Sequence, residues 1–162
     1  MGGTLMREDF AQTRSLRTLP FVEVALEALA PHATLVVATN SNYSAEHTAA
    51  LLDRMHIRPY FQHIFTSQTT DSMKPLAPYF RFMLQTLALQ PHEVVMVGDS
   101  YFHDIEGAKW QGLWTVWLSD SQTDAADADV VISGMRGLPP AVAWLDQRAT
   151  EAADSANRPA LP

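Results

Sequence analysis

Apolar residues along the chain follow two rhythms that alternate. Short unbroken runs rich in β-branched side chains occur at Thr34-Leu35-Val36-Val37-Ala38, Val94-Val95-Met96-Val97, Trp114-Thr115-Val116-Trp117-Leu118 and Val130-Val131-Ile132, with a shorter one at Ile64-Phe65. A run without a polar face predicts a strand covered on both sides. Between these runs the apolar residues recur at helical spacing. Val22, Leu26 and Leu29 lie between Pro20 and Pro31, Leu51, Leu52 and Met55 follow Ser44, and Phe82, Leu84 and Leu87 follow Pro78. Proline suits the first turn of a helix, where its missing N–H is not needed, and a serine can cap a helix by accepting a free amide. Helices are therefore predicted from Pro20 toward Pro31, from Ser44 toward His56, and from Pro78 to just before Pro91. Two more are predicted, from Asp104 to Gln111 with Gly112 as C-cap and from Pro139 to Leu145.

Strand and helix alternating in this way predict a mostly parallel sheet with helices on both faces and right-handed crossovers. The expected architecture is α/β, a Rossmann-like three-layer sandwich. Residues 1–18 show no sustained period and are expected to be a loop with at most one helical turn; 19–147 form the core domain. From Arg148 the tail, rich in Ala, Asp, Glu, Asn and Pro, is expected to be disordered through residue 162.

Composition narrows the function classes. The 162 residues are 47% hydrophobic, enough for one core, and carry a net charge of −7 with no basic cluster, which argues against nucleic acid or an anionic membrane as main partner. There is no Cys, so disulfides and thiolate metal sites are excluded and a reducing cytoplasm is the expected address. No run approaches the roughly 18 apolar residues of a membrane span. Asn42-Tyr43-Ser44 matches a glycosylation acceptor, which we attribute to chance.

The candidate chemistry collects at the C-terminal ends of the predicted strands, where open parallel sheets bind ligands. Thr39 and Asn40 follow the first strand, Lys74-Pro75 lies in the loop after the second, and Gly98 turns the chain into Asp99, with Asp104 about one helical turn on. A hydroxyl, an amide, an ammonium and two carboxylates suit a phosphate held beside Mg²⁺, a hard cation that takes oxygen ligands. Taken singly, Thr39 also reads as a polar strand end, Lys74 as a surface lysine and Asp104 as a helix cap. His103 reads as a solvated or packing residue.

From about Leu19 to Leu145 the chain resembles the haloacid dehalogenase-like hydrolases, mostly Mg²⁺-dependent phosphatases working through an aspartyl-phosphate. The segments LVVATNS, SMKPLAPYF and VVMVGDSYFHDIEGAKWQGLWTVWL resemble the second, third and fourth family motifs, and ADVVISGMRGLPPAVAWL the closing strand and helix. The resemblance implies that Thr39 and Asn40 bind the phosphoryl group and that Lys74 neutralises charge during transfer. It implies that Asp99 ligates Mg²⁺ and that Asp104 ligates or orients it. The substrate would be a small phosphorylated metabolite.

The first motif departs from this pattern. Met1-Gly2-Gly3-Thr4-Leu5 resembles only its last part, so the nucleophilic Asp would precede Met1 and Gly2 takes the place of the general acid. Glu8 and Asp9 would be poor substitutes. The cap is expected to be absent or minimal, and the central first strand of the sheet to be missing between the strands ending at Ala38 and Val97. We expect a truncated or mis-started chain whose complete form is a phosphatase-like hydrolase. Two other readings stay open, a catalytically inactive relative that binds phosphate and Mg²⁺, and a module completed by a partner strand or by a homo-oligomer.

Overall fold

Alternation of strand and helix carries over into the fold. The computed structural model describes residues 6–7, 17–120 and 127–156. β1 (Met6–Arg7) pairs antiparallel with β2 (Arg17–Thr18), where a loop is expected. Two rungs are too few to leave a period in the sequence. α1 (Val22–Leu29) starts two residues later than Pro20 suggests, because Phe21 at its N-cap takes a left-handed φ of 66°.

β3 (Leu35–Ala38) leads into α2 (Ala45–Arg54), which Ser44 caps by accepting the His47 N–H at 3.2 Å. β4 (Phe61–Phe65) then pairs parallel with β3. It is longer than the Ile64-Phe65 run predicts, since Gln62 and His63 are exposed on it and interrupt the apolar signal. The polar stretch after it holds a one-turn helix, α3 (Ser67–Thr70), closed by reciprocal bonds between Thr66 and Thr69.

α4 (Ala77–Leu87) is followed by β5 (Val95–Gly98), a π-helical turn at Tyr101–Glu106, and α5 (Gly107–Trp110). Gly112 ends that helical stretch at φ 83°, a left-handed conformation that favours glycine. β6 (Trp114–Leu118) pairs parallel with both β5 and β7 (Val130–Ile132).

The last helix, α6, runs Leu138–Ala156 and corrects the expectation of a disordered tail from Arg148 as far as residue 156. Ala149, Glu151 and Ala152 are strong helix formers and no Gly or Pro intervenes before Pro159. Residues 157–162 lie outside the described residues, as do residues 8–16, on which the expectation of a minimal cap rests. Among the described residues no helix is long and apolar enough to cross a membrane.

The layers are α/β with parallel strands, as expected. On one face α1, α2 and α6 bury Val22, Leu26, Leu52, Leu138 and Leu145 against Phe61, Val116 and Ile132. On the other, Tyr79, Phe80 and Met83 of α4 and Ala108 of α5 pack on Phe65 and Met96. The sheet between them is in two pieces. Among the described residues β3 pairs only with β4, and β5 only with β6, so the edges of β3 and β5 have no strand partner on their other side.

Candidate active site

Thr39 and Asn40 follow β3 and Asp99 follows β5, whereas Asp104 lies within the π-helical turn and Lys74 in a loop. Beyond Ala38, the Thr39 N–H continues the ladder to Phe65 O at 2.9 Å, and the Ser41 N–H turns back onto Thr39 Oγ1 at 3.1 Å. The Thr39 hydroxyl is thereby an acceptor, and its own proton donates to no group among the described residues. Tyr79, fully buried on α4, sets its hydroxyl 3.0 Å from Phe65 O and 3.3 Å from Thr39 O, bracing this turn from below. Burial pushes the Tyr79 phenol well above the ordinary tyrosine range, and the nearby Asp104 charge adds to that.

Lys74 arrives on a loop that Asn40 clamps at both backbone atoms. Asn40 Oδ1 accepts the Lys74 N–H at 2.8 Å while Asn40 Nδ2 donates to Lys74 O at 2.9 Å. A cis peptide joins Lys74 to Pro75. The clamp points the side chain inward, where only 1% of the residue is exposed, and Nζ donates to Ala38 O at 2.8 Å and to Asp104 Oδ1 at 2.6 Å. A buried ammonium needs such partners, because desolvating a charge costs several kcal/mol.

Asp104 reaches this point from the opposite side. The Asp104 N–H donates to Ser100 O at 2.8 Å, tying the start of the π-helical turn to its N-cap, and the Ser100 N–H donates to Asp104 Oδ2 at 3.1 Å. Both carboxylate oxygens are engaged and the residue is fully buried. Two glycines make the approach possible. A Cβ on Gly98 would stand 2.2 Å from Asp104 Cβ, and one on Gly107 2.6 Å from Pro75 Cβ. Backbone of β5 and of the helix thus presses directly on the Asp104 and Lys74-Pro75 pair.

The structure therefore brings Asn40, Lys74 and Asp104 into one bonded network, with Thr39 beside it through Ala38 and Tyr79. Asp99 stands apart. Its residue is exposed, its backbone carbonyl accepts from Trp117 Nε1 at 3.1 Å, and among the described residues no hydrogen bond or ion pair joins it to the others. Met1, Gly2, Gly3, Thr4, Leu5, Glu8 and Asp9 lie outside the described residues. His103 packs its Nδ1 2.9 Å from Ser100 Oγ. Sequence reasoning missed Tyr79 and Ser100. Tyr79 was legible only as one more apolar position after Pro78, and Ser100 as a polar residue between two acids.

The donors suit a hard cation in kind, since both predicted metal residues are carboxylates. They are incomplete in number: no cluster of three or more His, Asp or Glu side chains in ligating range occurs among the described residues. Asp99 has the open carboxylate; that of Asp104 is already bonded to Lys74 and Ser100.

Parallel strands whose C-terminal ends converge on a buried lysine–aspartate pair define an α/β protein with a polar junction at the ligand-binding edge of its sheet. Residues 5–118 match the model of the haloacid dehalogenase-like hydrolases, and the chain belongs to that family. Its fold superposes on a HAD phosphatase from Thermococcus onnurineus with a TM-score of 0.70, at 26% identity, over 77% of this chain and 58% of that one. A glyceraldehyde 3-phosphate phosphatase of Pyrococcus furiosus is 36% identical over 65 residues, 40% of this chain and 27% of the relative. A ribulose-1,5-bisphosphate 5-phosphatase of Halopiger xanaduensis is 34% identical over 95 residues, 56% of this chain and 40% of the relative. The chain thus matches well under half the length of these two curated relatives.

Proposed function

We propose that this chain carries the phosphate and Mg²⁺ half of a phosphohydrolase acting on a small phosphorylated metabolite. The observation that carries the reading is the Lys74 ammonium, buried at the C-terminal end of β3 and held between Ala38 O and Asp104. A fixed cation there offsets the negative charge that spreads over oxygens during phosphoryl transfer. The Thr39 hydroxyl, already accepting from Ser41, has its proton left to give to a phosphoryl oxygen. Asn40 positions the site by fixing the Lys74 backbone.

Asp99 would hold Mg²⁺ through its open carboxylate, with Asp104 orienting the loop from behind; bound there, the ion would supply Lewis-acid polarisation of the phosphoryl oxygens. Phosphatase relatives and the hard-oxygen donors support this assignment. Turnover through an aspartyl-phosphate further requires a nucleophilic carboxylate. Asp104 is not available for that role, since Lys74 and Ser100 hold both of its oxygens.

The test is phosphate release from a panel of small phosphate monoesters, with and without Mg²⁺, by a chain extended upstream of Met1 by an apolar strand ending in Asp. Mg²⁺-dependent release that Asp99→Ala abolishes is expected, and no release from the extended chain would overturn the reading. A second reading, binding without turnover, is favoured by Gly2 where the general acid belongs. It predicts calorimetric binding of inorganic phosphate and Mg²⁺ to residues 1–162 with no hydrolysis.

A further inference from the structure

β6 holds β5 by more than the backbone ladder. Trp114 Nε1 donates to His92 O at 3.0 Å and Trp117 Nε1 donates to Asp99 O at 3.1 Å, so one indole grips the chain before β5 and the other the chain after it. The register explains the reach. Trp114 stands beside Val95 where the parallel pairing begins and Trp117 beside Gly98 where it ends, and each ring extends to a carbonyl past the strand. On its other side, toward β3, β5 borders an apolar cleft of about 1070 Å³ and pairs with no strand among the described residues.

The two pins act on different neighbours. At the N-terminal end the acceptor is His92, remote from every candidate site residue. At the C-terminal end it is Asp99, whose exposed carboxylate has no hydrogen bond or ion pair among the described residues, so the Trp117 indole is the one side chain bonded to it there. Asp104 needs no such hold, since Lys74 and Ser100 engage its carboxylate directly. Trp117 is itself braced. Tyr101 sets its ring edge-on to the indole, with centroids 5.0 Å apart at 65°, and its hydroxyl reaches Asp127 Oδ2 at 3.4 Å.

Mg²⁺ demands near-octahedral geometry and tolerates little displacement of a ligating carboxylate. An exposed aspartate with a free backbone has to be ordered as the ion binds, which weakens binding. Groups that fix a ligand beforehand change metal affinity about 10–100-fold when they are removed.

We propose that Trp117 is a positioning residue for the divalent cation, fixing the Asp99 backbone so that its carboxylate is preset for Mg²⁺, with Tyr101 buttressing the indole. This rests on the reading of Asp99 as the Mg²⁺ residue. Trp114 makes the same kind of bond at the far end of β5 and serves the strand alone.

The experiment measures Mg²⁺ binding by calorimetry, and the urea midpoint, for the 162-residue chain and its Trp117→Phe, Trp114→Phe and Asp99→Ala variants. Each tryptophan variant loses one indole N–H and keeps an aromatic ring, so the two should lower the urea midpoint by similar amounts. The Mg²⁺ Kd should rise about tenfold in Trp117→Phe and stay within about twofold of the unaltered chain in Trp114→Phe. Fluorotryptophan labelling gives a second readout that does not need the Trp117 variant to fold. The Trp117 fluorine resonance, assigned by elimination with phenylalanine at Trp110, Trp114 and Trp144 in turn, should shift on adding Mg²⁺, and that of Trp114 should not. An unmoved Trp117 resonance, an unchanged Kd in Trp117→Phe, or equal losses of affinity in both tryptophan variants would overturn the proposal and leave Asp99 as the Mg²⁺ residue. Binding that survives Asp99→Ala, or no Mg²⁺ heat from the unaltered chain, would overturn both.

Discussion

The same two strands, β3 and β5, are joined at one end and separate along their length. At their C-terminal ends, Lys74 bonds Ala38 O and Asp104, and Asp104 presses against Gly98. Along their bodies no backbone bond links them among the described residues, and helices α1, α4 and α6 supply the cover. A polar junction is directional and tolerates no replacement of one partner. An apolar cleft is non-directional, and any occupant of the right shape and backbone chemistry can fill it. The candidate chemistry sits at the bonded end and the apolar cleft along the strand bodies.

Changes that break the junction should have the largest effect. Lys74→Ala strips the buried Asp104 carboxylate of its ammonium, Asp104→Ala takes a buried carboxylate from Lys74, and each should cost about 3–5 kcal/mol in urea unfolding. Joint replacement as Lys74→Met with Asp104→Leu should cost less than either alone. A sum of the two single losses would mean that the residues do not act as a pair.

Gly98→Ala forces a methyl into Asp104 and should cost about 1–3 kcal/mol, with little change if β5 can shift into the cleft. That outcome would show the junction to be softer than its contacts indicate.

Tyr79→Phe removes the hydroxyl shared by Phe65 O and Thr39 O and should cost about 1 kcal/mol. Its folded pKa is raised, so the contribution is full below the ordinary tyrosine value of about 10 and is lost as pH rises through the folded value. The alkaline fall in unfolding free energy should therefore be shallower in Tyr79→Phe. Parallel curves for the two proteins would exclude Tyr79 as its source.

The smallest stability effect is expected at Asp99, which is exposed. Asp99→Ala should change unfolding by less than about 0.5 kcal/mol while abolishing the heat of Mg²⁺ binding seen in calorimetry. Unchanged Mg²⁺ binding would separate the metal from this residue.

Much of this was legible in the chain. The runs at Val36-Val37, Val95-Met96-Val97 and Val116-Trp117 announced buried parallel strands, and Ser44 and Gly112 marked helix ends that the structure keeps. The extension of α6 to Ala156 was hidden because an exposed helix beyond its packed turns needs propensity, not an apolar stripe. The β1–β2 pairing was hidden by its length, and β4 by its exposed Gln62 and His63.

The site residues could be named from the sequence because residue type and position after a strand restrict chemistry. Their arrangement could not. Nothing in Lys74-Pro75 tells that the ammonium is buried against Asp104, or that Asn40 clamps its backbone across 34 positions of sequence. The sequence by itself determined most of the core strands and helices and several of the groups that end them, because these follow from local spacing and apolar pattern. The gap between β3 and β5 was expected from the resemblance; only the tertiary structure decided that the aspartates part company, Asp104 paired inside and Asp99 open to water. Those outcomes depend on contacts between distant segments, whose free energy no local pattern encodes.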